Sequence, residues 1–128
     1  MLRILFATAA IATTAGMAKA EDISTHVLNI STGQGGSGIP VTLDMQRDGD
    51  WTQLGTGTTQ DNGRVEGFGI DATSGLYRLT FDLSGYDALG DAPFFPQIAV
   101  MFDISDTDRH HHVPVLVSPY GYSTYLGN

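Results

Sequence analysis

The chain has 128 residues, a formal net charge of −8, no cysteine, 16 glycines and 5 prolines. That length supports one sizeable hydrophobic core rather than two, and 41% apolar residues exclude a disordered acidic tail. The missing cysteine excludes a disulfide scaffold, a thiolate metal site and a cysteine nucleophile.

In chain order, the first feature is an address. Arg3 gives a short basic start, residues 4–18 are apolar and rich in small side chains, and Ala18-Lys19-Ala20 fits a small-x-small cleavage pattern. The apolar run is about fifteen residues, against the roughly 20 needed to span a bilayer. The expectation is a cleaved secretory signal peptide over residues 1–20 and one domain over residues 21–128. The mature protein would then be periplasmic or secreted, with no membrane attachment. It would hold no lysine, and its cations besides histidine would be Arg47, Arg64, Arg78 and Arg109. So acidic a surface repels polyanions, which makes nucleic acid and anionic membrane poor partners.

Turn residues then recur every eight to twelve positions, the rhythm of an all-β sandwich. Residues 24–30 read as a first strand, closed by a glycine-dense loop over residues 31–38. Residues 39–46 alternate, with Val41, Leu43 and Met45 on one face and Thr42, Asp44 and Gln46 on the other, as in a half-buried antiparallel strand. Asp48-Gly49-Asp50 turns into a strand over residues 51–59, and Asp61-Asn62-Gly63 into another over residues 64–68. Residues 75–83 alternate again. Residues 84–90 suit one or two helical turns, with Ser84 as N-cap and Gly90 past the end. Residues 98–102 are apolar throughout, as for a strand buried on both faces or at a subunit interface. Strands over residues 110–118 and 122–125 complete a set of eight, with one short helix.

The chemistry-bearing residues are few. No G-x-S-x-G elbow, H-E-x-x-H helix or phosphate-binding glycine loop is present. Histidine occurs as His26 and the triplet His110-His111-His112. On a strand, His110 and His112 share one side and His111 points to the other. Such a pair binds zinc if a third ligand, for example His26, joins it; otherwise it is an exposed polar run. Asp103, Asp106 and Asp108 are close in sequence, but Ser105, Thr107 and Arg109 beside them read as a solvated loop.

Several segments together resemble the transthyretin-like family, in particular its 5-hydroxyisourate hydrolase branch. They are Ser24-Thr25-His26-Val27-Leu28-Asn29, Gly38-Ile39-Pro40-Val41-Thr42-Leu43, Asn62-Gly63-Arg64, Tyr77-Arg78-Leu79-Thr80-Phe81 and Phe94-Phe95-Pro96. The most specific is the run from His110-His111-His112-Val113-Pro114 through Ser118-Pro119-Tyr120-Gly121-Tyr122-Ser123-Thr124-Tyr125. The resemblance implies an eight-stranded transthyretin-like (prealbumin-like) sandwich of two four-stranded sheets with one short helix. It implies His26, Arg64 and His112 as catalytic residues, and His110, Tyr125 and Asn128 as substrate-binding ones. No metal or other cofactor is implied. The partners would be a small purine-derived substrate, 5-hydroxyisourate, whose ring is opened at a cyclic amide bond, and further copies of the chain in a homotetramer (a dimer of dimers) with the site in a channel. A non-catalytic small-ligand-binding member of the same family is the second expectation. Gln97 stands where the family usually has an acid, Leu126 where it has arginine, and Asn128 where it has a terminal serine.

Overall fold

Alternation of apolar and polar residues drives the architecture seen in a computed structural model, which describes residues 21–128. The proposed signal segment, residues 1–20, lies outside the described residues. The strands are β1 (Ile23–Asn29), β2 (Gln34–Gly35), β3 (Pro40–Arg47), β4 (Asp50–Thr58), β5 (Arg64–Val65), β6 (Gly75–Asp82), β7 (Gln97–Ile104), β8 (His111–Ser118) and β9 (Gly121–Thr124). One sheet runs β4-β3-β6-β7, antiparallel throughout. The other runs β2-β1-β8-β9, with β5 also paired to β1. Because β8 occupies one edge of β1 along its whole length, β5 and β2 lie end to end on the other edge. This sheet is therefore four strands wide, although it holds five strands. The β1–β8 pairing is parallel and brings the start of the domain against the histidine triplet.

The inward positions of both sheets form one core. Val41, Leu43, Tyr77, Leu79, Phe81 and Ile98 come from one sheet, and Ile23, Val27, Val113, Val115 and Val117 from the other. The alternation expected for β3 and β6 holds, with one refinement. Asp44 points outward yet is buried, because Arg78 on β6 donates to it at 3.1 Å and stacks over Trp51 at 4.3 Å.

Four local expectations are corrected. The strand expected over residues 64–68 is only two residues long, since the chain turns away from β1 after Val65. The loop over residues 31–38 contains the short strand β2. The helical turn is a single 3-10 turn, Asp87–Leu89, with Tyr86 at its N-cap; the Ser84 hydroxyl donates to Asp82 instead, at 2.6 Å. Gly90 does close the turn, its N–H bonding Asp87 O. Finally, β7 is not buried on both faces: Ile98, Val100 and Ile104 point in, while Ala99, Met101 and Asp103 are exposed. Met101 is 58% exposed on this edge strand, so of the two expectations for the apolar run only burial on both faces is overturned, and the subunit interface belongs to the proposal below.

Candidate active site

Strand register assembles a cluster that sequence separation hides. Within β1, Ile23, Thr25 and Val27 face the core, so Ser24 and His26 project from the outer face. Within β8, His111 and Val113 face the core, so His112 projects outward. Ser24 is in register with His112, and His26 with both Arg64 and Pro114. His110 immediately precedes β8 and turns to the same side, its ring 6.4 Å from that of His112. Ser24, Thr25, Arg64, Val65, Glu66, His110 and His112 line a cavity of about 160 Å3.

The turn before Arg64 sets that residue's position. Gly63 adopts φ +84°, and a Cβ there would run into Val27 O and lie 2.9 Å from Gly35 Cα. Its N–H bonds Gln60 O at 2.8 Å, and its carbonyl accepts from Val27 N–H at 2.8 Å. Asn62 Oδ1 accepts from Arg64 N–H at 3.0 Å. The carbonyl of Asn62 faces His26 Nε2 at 2.8 Å. A carbonyl only accepts, so Nε2 of His26 carries the proton and, in the neutral ring, Nδ1 keeps the lone pair.

The rings of the triplet are held by β1. Ser24 Oγ lies 2.7 Å from His110 Nε2 and 2.7 Å from His112 Nδ1. His110 Nδ1 donates a hydrogen bond to Glu21 O. The pKa of His112 is lowered, first by burial, then by the Arg64 guanidinium, and further by His110 and His26 whenever those rings carry a second proton. Each disfavours a second proton, so His112 is held neutral, as a general base must be.

The C-terminus closes over this face. Gly127 pairs with His112, its N–H bonding His112 O at 2.7 Å. A Cβ at Gly127 would come within 2.7 Å of His112 Cδ2, so the ring lies directly against the tail. Arg109 Nη2 donates to Gly127 O at 3.3 Å. Asn128 therefore follows directly on a residue packed against His112.

The structure thus brings together His26, Arg64, His110 and His112 and carries the tail to them. It does not bring Tyr125 to the cavity. Tyr125 lines a separate cleft of about 400 Å3 between the β7 and β9 edges, with Met101, Phe102, Arg109, His111 and Leu126. Ser24, Gly127 and Arg109 escaped the sequence reading. Ser24 had one signal, its place two residues before His26 and hence on the same face; the bonds of the other two depend on tertiary contact. Among the described residues, no three His, Cys, Asp or Glu side chains are grouped to hold a metal ion. The zinc arrangement of His110, His112 and His26 is therefore not formed. No helix among the described residues is long and apolar enough to cross a membrane.

Fold and site together define a two-sheet sandwich that carries an acid–base cluster on one outer face, a half-buried and an exposed histidine joined by a serine and flanked by an arginine. The chain belongs to the HIUase/Transthyretin family, whose profile matches residues 23–127. It is 43% identical over 109 residues to a probable 5-hydroxyisourate hydrolase of Caenorhabditis elegans, covering 83% of this chain and 81% of that one. It is 42% identical over 109 residues to the 5-hydroxyisourate hydrolase of Salmonella typhimurium, covering 83% and 80%. Among solved structures, Klebsiella pneumoniae 5-hydroxyisourate hydrolase superposes with a TM-score of 0.71 at 34% identity, covering 84% and 99%. Sea bream transthyretin, in complex with thyroxine, superposes with a TM-score of 0.76 at 27% identity, covering 83% and 94%.

Proposed function

We propose that this protein is a 5-hydroxyisourate hydrolase that opens the substrate ring at a cyclic amide bond, giving 2-oxo-4-hydroxy-4-carboxy-5-ureidoimidazoline. The observation that carries this is the convergence of His26, Arg64 and His112 on one sheet face, where Arg64 and His112 line a cavity and His26 stands in register with Arg64. The hydrolases named above, at 34–43% identity, support the choice of substrate.

The chemistry needs an activated water, a stabilised oxyanion and a proton for the departing nitrogen. His112, held neutral, takes a proton from water as the oxygen bonds to the amide carbon, and the carbonyl electron pair moves to oxygen. Arg64 is permanently charged and faces that oxyanion from β5; such donors contribute about 3–4 kcal/mol in other enzymes. Collapse breaks the C–N bond, and the nitrogen takes the proton from His112. One water is added overall. His26 and Arg64 orient the planar substrate, His110 binds it from the cavity wall, and Asn128, next to the Gly127 that packs on His112, adds a contact from the tail.

The test generates 5-hydroxyisourate in situ with urate oxidase and follows its decay spectroscopically. Decay faster than the spontaneous rate is the expected result. Binding with decay at the spontaneous rate favours a carrier, the reading suggested by the likeness to a thyroxine-bound transthyretin.

Association into a homotetramer, with the site in a channel between dimers, is part of the proposal. It is supported by unpaired edges on β7 and β9 and by exposed Phe94, Tyr120, Met101 and Leu126. Export with removal of residues 1–20 is also proposed, on the basic start, apolar run and Ala18-Lys19-Ala20. Mass spectrometry of protein from the periplasm or medium should then find Glu21 at the N-terminus.

A further inference from the structure

We propose that Ser24 is a positioning residue: with His110 and the carbonyl of Glu21 it forms a one-way hydrogen-bond chain that fixes the tautomer of His112 and leaves its Nε2 as the base. The inference rests on the hydrolase reading above and decides which nitrogen of which histidine takes the proton from water.

The direction of the chain follows from counting donors and acceptors. Glu21 O accepts only, so the hydrogen bond from His110 Nδ1 requires a proton on that nitrogen. In the neutral ring, His110 Nε2 is then a bare acceptor. It lies 2.7 Å from Ser24 Oγ, whose single O–H must point to it. Having spent its proton, Ser24 Oγ can meet His112 Nδ1, also at 2.7 Å, only as an acceptor. His112 Nδ1 therefore carries the ring proton, and its Nε2 keeps the lone pair. The reverse arrangement would set the lone pairs of His110 Nδ1 and Glu21 O against each other. Ser24 is 93% buried by the strands around it, so bulk water does not readily replace its hydroxyl.

The same chain supports the charged form made during turnover. When Nε2 takes a proton, the Nδ1–H of His112 already points at an oxygen, so the imidazolium forms without rearrangement. His26 is oriented in the opposite sense: its Nε2–H is tied to Asn62 O. The two neutral rings therefore present different nitrogens, Nδ1 from His26 and Nε2 from His112.

The experiment uses 15N-labelled protein near neutral pH, without substrate, and reads imidazole tautomers from long-range 1H–15N correlations. Both His110 and His112 should be Nδ1–H tautomers. In Ser24→Ala, His112 should become a mixture of tautomers. Its kcat should fall about tenfold or more, a part of the 10²–10⁴-fold (about that range) that a positioned base supplies, with KM little changed. Ser24→Thr, which keeps the hydroxyl, should recover most of kcat. An Nε2–H tautomer for His112 in the unaltered protein overturns the chain whatever the variants do. An unchanged kcat in folded Ser24→Ala overturns the positioning role. Failure of the unaltered protein to hydrolyse 5-hydroxyisourate would instead overturn the hydrolase reading, and the tautomers would still report on the chain.

Discussion

His112 owes its chemistry to neighbours that arrive from three different segments. Burial, the charge of Arg64 and, when they are protonated, His110 and His26 lower its pKa from 6.5; Glu66 is the acidic group lining the same cavity. A general base works when neutral, so activity is retained above its pKa and lost as pH falls through it. The acid limb of kcat/KM should accordingly lie below 6.5, the ordinary histidine value. Replacing Arg64 by Gln removes one of the positive fields and should move that limb upward, measured by the same decay assay over pH. A limb at or above the ordinary value in the unaltered protein would contradict the base assignment. His112→Asn should cost about 10²–10⁴-fold in kcat/KM, and Arg64→Ala about 10²–10³-fold. Both side chains leave the outer face, so thermal stability should change little.

At the scale of elements, the turn from Gln60 to Arg64 is the hinge between fold and site. Gly63 is there for two reasons at once: its φ of +84° disfavours other residues, and its Cα side faces the backbone of β1 and β2. Gly63→Ala should destabilise by at least about 1–2 kcal/mol from left-handed strain, with the steric conflict adding to this. The larger effect should fall on catalysis, because a displaced turn moves Arg64 and the Asn62 carbonyl that holds His26. Thermal denaturation and kcat measured on the same preparation should show activity lost well below the melting transition.

Across the whole molecule, the outstanding feature is apolar surface at the sheet edges and at one end. Phe94 packs edge-on to Phe95 and near Tyr120, and Phe95 meets Tyr122, yet Phe94 and Tyr120 remain 66% and 83% exposed. Aromatic patches of this kind mark association sites. If they serve the proposed tetramer, the double variant Phe94→Asp with Tyr120→Asp should sediment as a smaller species with its strand content intact. Activity should fall with the loss of assembly, since a channel site needs neighbouring copies. Full activity in a monomeric form would separate the site from the assembly.

The sequence by itself determined the sandwich, because side-chain alternation with period two fixes which residues of β3 and β6 form the core wherever the chain happens to pair. It also marked His26, Arg64 and His112, through motifs that stand in family order, and placed His110 and His112 on one side by alternation alone. Periodicity had less to say where pairing is short or lies at an edge. The two-residue β2 and β5 are too brief to alternate, and the apolar run of β7 looks the same on an exposed edge as in a buried strand. Register was decided only by the tertiary structure. A parallel pairing between residues 86 and 88 apart in sequence sets Ser24 between His110 and His112, and no local pattern encodes that meeting. The tail was likewise placed by contact, Gly127 being shaped to the ring of His112. Tyr125, marked by sequence as a site residue, lines a separate cleft, since the chain leaves β9 before the tail turns back. Sequence could name the side chains proposed for catalysis; only the fold could orient their protons, because a tautomer depends on the partner that each nitrogen meets in space.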